Sequence, residues 1–176
     1  RKRIVPMIAT AEGVEHAITV LYGNEGAAKA IEAMKREISA TQEEEETTDR
    51  FSGNILNDNI NDAPTIRLVN SIIDRAVHEN ASDIHIEPKE KELQVRMRID
   101  GMLRKILTIP KNLQNSVISR IKIMSGMDIA ERRIPQDGRF NVKSNKKEYD
   151  LRISSLPTVY GEKIVARLLD KAAGYL

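Results

Sequence analysis

Apolar positions along this chain change their spacing several times, and each change marks an element. Ile4 to Ile8 read as a short strand, and Glu12 to Tyr22 as a helix with Val14, Ala17, Ile18 and Leu21 on one face before Gly23. Asn24 to Ile38 returns Ala27, Ala28, Ile31, Met34 and Ile38 at helical spacing. The pattern then lapses. From Thr41 to Ala63, with Glu43 to Glu46 and several Asn and Asp residues, too little apolar surface remains to offset the entropy of ordering, which predicts a linker. A compact domain follows. Asp62 is placed to cap a helix with Pro64 in its first turn, and Ile66, Val69, Ile73 and Val77 form its buried stripe. Ile84 and Ile86, then Leu93, Val95, Met97 and Ile99, alternate with polar residues as strands do, and Asp100-Gly101 is a dipeptide suited to a tight hairpin. Pro110 to Ser125 is helical again, with Leu113, Val117, Ile121 and Met124 on one side and Gly126 as its stop. After an irregular stretch from Met127 to Gly138, alternation resumes at Phe140 and Val142, at Tyr149, Leu151 and Ile153, and at Ile164, Ala166 and Leu168. The sum is an α+β domain around an antiparallel sheet, without internal repeats.

Composition narrows the class. The chain has 176 residues, 40% of them hydrophobic, enough for one ordinary core and a small unit beside it. Its apolar runs are too short for a spanning helix, and Arg1 to Pro6 lack the apolar core of a signal peptide, so direct membrane insertion is not expected. With no cysteine there is no disulfide framework or thiolate metal site, which suits a reducing compartment and makes the cytoplasm the default. Because the chain starts at Arg1 and not at a methionine, a segment of a longer protein is expected. The net charge is +2, but it is unevenly spread. Arg36 to Asp62 carries 8 acidic and 2 basic residues, whereas Ala81 to Asp170 carries 18 basic and 12 acidic ones.

The candidate chemistry is mostly basic. Arg96 and Arg98 share one strand face, opposite Val95, Met97 and Ile99; Arg152 lies opposite Leu151 and Ile153, and Arg167 opposite Ala166 and Leu168. Four arginines thus leave the core from strands. The planar guanidinium fork suits phosphate or carboxylate, although spacing alone favours surface ion pairs over a phosphate site. Asp83, His85 and Glu87 also share a strand face. Their types could ligate a metal, but the preferred reading is a solvated face whose other side, Ile84 and Ile86, packs inward. Arg120 sits near the apolar stripe of its helix, either snorkelling or directed at an interface. Glu131-Arg132-Arg133 and Pro135 to Arg139 form a charged, irregular connection that faces an anion or a subunit. The chain contains no Gly-x-x-x-x-Gly-Lys-Ser/Thr, Gly-x-Gly-x-x-Gly, Gly-x-Ser-x-Gly or His-Glu-x-x-His. It therefore offers neither a self-contained nucleotide site nor a hydrolase centre.

Four ordered segments, Ala81 to Pro88, Arg98 to Gly101, Met127 to Arg139 and Ser155 to Glu162, resemble the secretion ATPase superfamily. Specifically, they are similar to the domain that precedes the motor domain in type II secretion and type IV pilus assembly ATPases. Gly161 to Asp170 resembles that family's entry into the motor. The resemblance implies a PAS-like antiparallel sheet flanked by helices over residues 63–170. It also implies an acidic linker over 39–62, a docking-domain remnant with a helix over 1–38, and the start of a further linker over 171–176. A RecA-like motor domain would follow Leu176, carrying ATP and Mg2+, with the whole arranged as a homo-hexamer. No cofactor is expected in this piece alone, which should not hydrolyse ATP.

On the same resemblance, Arg152 and Arg167 match the arginines that reach the phosphates, and Arg139, Arg120, Arg132 and Arg133 are nucleotide or interface candidates. An inner-membrane platform protein is the implied partner. Some relatives bind cyclic di-GMP upstream, a property not carried over to these residues. Assembly or secretion is favoured over retraction. The alternatives are a stand-alone scaffold or sensor and a basic nucleic-acid-binding module. The second is weakened by a chain with only two phenylalanines and no tryptophan on which to stack bases.

Overall fold

The structure is a computed structural model that describes residues 9–11, 13–14, 25–45, 63–144 and 146–171. The strand expected at Ile4 to Ile8, and nearly all of the helix expected at Glu12 to Tyr22, lie outside those residues. The described elements are three helices and six strands. They are α1 (Glu25–Glu45), α2 (Ala63–His78), β1 (Asp83–Pro88), β2 (Glu92–Ile99), β3 (Met102–Pro110), α3 (Gln114–Met124), β4 (Gln136–Ser144), β5 (Lys147–Thr158) and β6 (Gly161–Asp170), with a short 3-10 turn at Lys111–Leu113 before α3.

The strands form one antiparallel sheet in the order β3-β2-β1-β6-β5-β4. Two meanders, β1-β2-β3 and β4-β5-β6, are joined through α3, and β6 closes against β1 at the centre. This is the α+β antiparallel architecture expected from the alternation. The first hairpin turns where Asp100 and Gly101 have φ of 50° and 78°, the paired left-handed geometry that matches the twist of flanking strands. At Gly138 the constraint is contact, since a Cβ there would overlap the backbone carbonyl of Ser125. The start of β4 therefore runs hard against the end of α3, which fixes where Asp137 and Arg139 stand.

One face of the sheet is the core. Ile84, Ile86, Leu93, Val95, Met97, Ile99, Leu151, Ile153, Ile164 and Ala166 are buried there, as the alternation requires. Val69, Ile72 and Ile73 of α2 and Ile121 of α3 close over them. The stripe expected on α2 is narrower than the one observed. Ile66 is only half-buried, while Leu68, Ile72 and Ala76 are fully enclosed along with Val69, Ile73 and Val77. The cause is α1, which packs against α2 with Ala27, Ala30 and Met34 buried in the same cluster, so α2 needs an apolar arc wide enough for two partners. Ala28, expected on the buried face of α1, is exposed, and Ala30 takes its place. Helix α1 also continues past Ile38 to Glu45. Glu and Gln propagate a helix well even where they cannot bury anything, so a composition that reads as linker is locally compatible with helix. The rest of the expected linker, 46–62, lies outside the described residues. No helix among the described residues is long and apolar enough to cross a membrane.

Candidate anion-binding face

Among the described residues the sheet's other face carries no helix, and its strand register lines up charges. Arg139 on β4 stands opposite Arg152 on β5, Arg152 opposite Arg167 on β6, Arg167 opposite Asp83 on β1, and Asp83 opposite Arg98 on β2. One row thus crosses five strands with four arginines and a single carboxylate. Like charges directly opposite each other on neighbouring strands are destabilising, so three adjacent guanidinium groups make sense where an anion can join them. Asp137, Arg139, Arg152, Ser154 and Arg167 line a shallow concavity there. The side chains of Arg152 and Arg167 are 70% and 67% exposed. Among the described residues the carboxylate paired with Arg152 is a distant one, with its Nε 3.9 Å from Asp150. Arg139 is likewise exposed. Asp137 is occupied, since Ser154 Oγ donates to its Oδ1 at 2.6 Å.

Asp83 is only 7% exposed, unlike the arginines around it. It accepts from Ser82 Oγ at 2.8 Å and from Arg167 Nε at 3.1 Å, with Arg98 Nε at 3.4 Å on its other side. Burial alone would raise its pKa; the Ser82 hydroxyl and the Arg167 guanidinium outweigh that and hold the carboxyl below its usual range. Glu87 repeats the arrangement two rows away. Arg96 at 2.8 Å, Lys163 at 3.0 Å and Lys89 at 3.3 Å surround it. Burial works against ionisation there as well, but these partners hold the carboxyl down to about 2. His85, between the two, has its pKa lowered by burial and by the nearby Lys163, so it is neutral at ordinary pH.

The solvated face expected at Asp83, His85 and Glu87 is therefore corrected. The three do share a face, but Asp83 and Glu87 are buried and His85 is half-buried. β1 is central, and Arg96 and Arg98 of β2 with Lys163 and Arg167 of β6 reach across to its two carboxylates. No group of three or more His, Asp or Glu suited to a metal occurs among the described residues.

The other candidates lie apart from the row. Arg120 is on α3, half-buried and engaged with neighbours. Arg132 lines a separate recess with Gln114, Asn115 and Thr158. Arg133 pairs within its own loop, 3.4 Å from Glu131.

One ion pair escaped the sequence reading. Lys122 is 1% exposed, and its Nζ donates to Glu162 Oε1 at 2.8 Å and to the Glu131 carbonyl at 2.6 Å, while Ser155 Oγ donates to the same glutamate oxygen at 2.9 Å. These bonds tie α3 to β5, β6 and the connection into β4. The available signal was Lys122 following Ile118 by four positions, a charge inside the apolar arc of α3.

Residues 58–176 match the family model described as Type II/IV secretion system protein. The chain is 54% identical over 115 residues to the type II secretion system protein E of Pseudomonas aeruginosa, a span covering 65% of this chain and 23% of that protein. It is 41% identical over 172 residues to the type IV pilus assembly ATPase PilB of Myxococcus xanthus, covering 96% of this chain and 30% of that one. With the PilB of Thermus thermophilus the identity is 42% over 170 residues, covering 97% and 18%. The chain spans less than a third of each of these relatives.

Proposed function

The chain belongs to the family of type II/IV secretion system proteins, and from that membership and the arginine row we propose that it is the non-catalytic N-terminal region of a hexameric ATPase powering type IV pilus assembly or type II secretion. In this reading ATP sits on a separate RecA-like domain, and the open face of the sheet closes over its phosphates. The observation that carries the proposal is the register Arg139, Arg152, Arg167 on three adjacent strands, two of them with side chains mostly in solvent. Arginine stays charged and presents a fixed fork of donors, so a row of three can spread its positive charge along a polyphosphate chain. An arginine delivered from a second domain stabilises charge building on the transferred phosphoryl group, an effect of several orders of magnitude in NTPases that use one. Mg2+, when bound with the nucleotide, would neutralise phosphate charge beside these arginines.

The row is set on rigid strands, so closing or withdrawing it moves the whole sheet. That rigid-body motion is what would be passed to an inner-membrane platform protein. In the full-length protein, Arg167→Ala is expected to cut ATP turnover at least about tenfold while the ring stays assembled by light scattering. Unchanged turnover in an intact ring would overturn the assignment.

A further inference from the structure

Arg167 meets Asp83 by one edge of its guanidinium. Nε donates to Asp83 Oδ1 at 3.1 Å, and among the described residues its two terminal nitrogens make no hydrogen bond. The guanidinium is planar and rigid, so fixing the Nε edge fixes the direction of the remaining fork. Of the two partners the carboxylate is the stationary one. It is on the central strand β1, 7% exposed, and is further held by Ser82 Oγ at 2.8 Å. Arg98 shares it through its own Nε at 3.4 Å while its terminal nitrogen donates to the Gly101 carbonyl at 2.9 Å. One carboxylate divided between two arginines leaves the charge of Arg167 only partly offset.

We propose that Asp83 is a positioning residue for Arg167: it grips the Nε edge so that the two terminal nitrogens are presented, as a preset bidentate fork, to a phosphate lying over the arginine row. The proposal rests on the phosphate reading above and adds a residue to it. An exposed arginine without such an anchor would have to give up several rotatable bonds at the moment of contact, and misplacement by about 1 Å can cost a site about a hundredfold in rate. Asp83 is 84 positions from Arg167 in sequence and meets it only through the central strand pairing.

The test is ATP turnover by the full-length protein with substitutions at both positions. Asp83→Ala is expected to lower kcat about tenfold or more with KM within about twofold, and to lower it less than about twofold when Arg167→Ala is already present. Asp83→Asn keeps an oxygen that accepts from Nε and is expected to hold kcat within about threefold. Asp83→Glu keeps the charge but moves the acceptor by a methylene, and is expected to behave like the alanine variant. If Asp83→Ala does not fold, the Asn and Glu variants decide: a higher kcat for Asn supports positioning, and a kcat for Glu equal to or above it overturns positioning. Equal losses from Asp83→Ala with and without Arg167 would overturn the positioning role alone. Unchanged turnover in Arg167→Ala would overturn the phosphate reading and the positioning role together.

Discussion

Two ion pairs of similar chemistry sit on opposite faces of the sheet. Lys122 and Glu162 are enclosed on the helix side, joined at 2.8 Å and completed by Ser155 and a backbone carbonyl. Asp83 and Arg167 are on the open side at 3.1 Å, with the acid buried and the base two-thirds in solvent. In the first pair Lys122 is enclosed and its Nζ donates to Glu162 and to the Glu131 carbonyl, so it presents nothing to a ligand. The second keeps part of its hydrogen-bonding capacity unspent, and two further arginines stand beside it. A charge pair's role is thus read from which of its free donors stand in solvent, more than from its distance.

The buried pair gives the largest expected effect. Lys122→Met should destabilise the chain by about 3–5 kcal/mol, because Glu162 is left charged and unpaired in the interior; adding Glu162→Gln should recover most of the loss. Urea unfolding of the single and double variants measures both steps, and a loss below about 1 kcal/mol would place the pair with ordinary surface bridges. Acid comes next. Against burial, which would raise it, Arg96 and Lys163 hold the Glu87 carboxyl down to about 2 from an ordinary 4.5. Its depressed pKa contributes stability that is fully present above about pH 5 and lost as the pH falls through 4.5 toward 2. Replacing Glu87 with Gln should flatten that part of a stability-against-pH curve, whereas an unchanged slope would contradict the ion-pair description of the open face. The smallest effect is expected at Arg152. Among the described residues its one close acid is at 3.9 Å and its neighbours across both strands are arginines, so Arg152→Ala should change stability by no more than about 0.5 kcal/mol. A large loss there would mean that the row serves the fold as Lys122 does.

The contrast also marks what the sequence could reveal. Alternation alone put Arg96, Arg98, Arg152 and Arg167 opposite core residues, and the structure keeps all four on the open face, because a period of two settles a strand's faces without reference to its neighbours. Asp100-Gly101 was equally local, being a turn whose backbone angles its own residues prefer. Which strands lie side by side was not local. The closure of β6 onto β1 brings Asp83 to Arg167 and Lys163 to Glu87, and makes β1 central, so its polar face is covered where a lone strand would be wet. Lys122 was hidden for the same reason: its partner Glu162, and the Ser155 that donates to that glutamate, come from β6 and β5, 40 and 33 positions away. The width of the apolar arc on α2 depended on α1, an element whose own sequence says that it has an apolar face but not what covers it.

The central claim is that the exposed arginines, and not the buried or fully paired ones, face phosphate. Titrating inorganic triphosphate into the 176-residue chain while following arginine Nε–H resonances by NMR tests it most directly. Arg139, Arg152 and Arg167 should shift together along one saturating curve, with Arg96, held by Glu87 at 2.8 Å, left in place. Shifts spread evenly over all the arginines, or none that saturate, would contradict it.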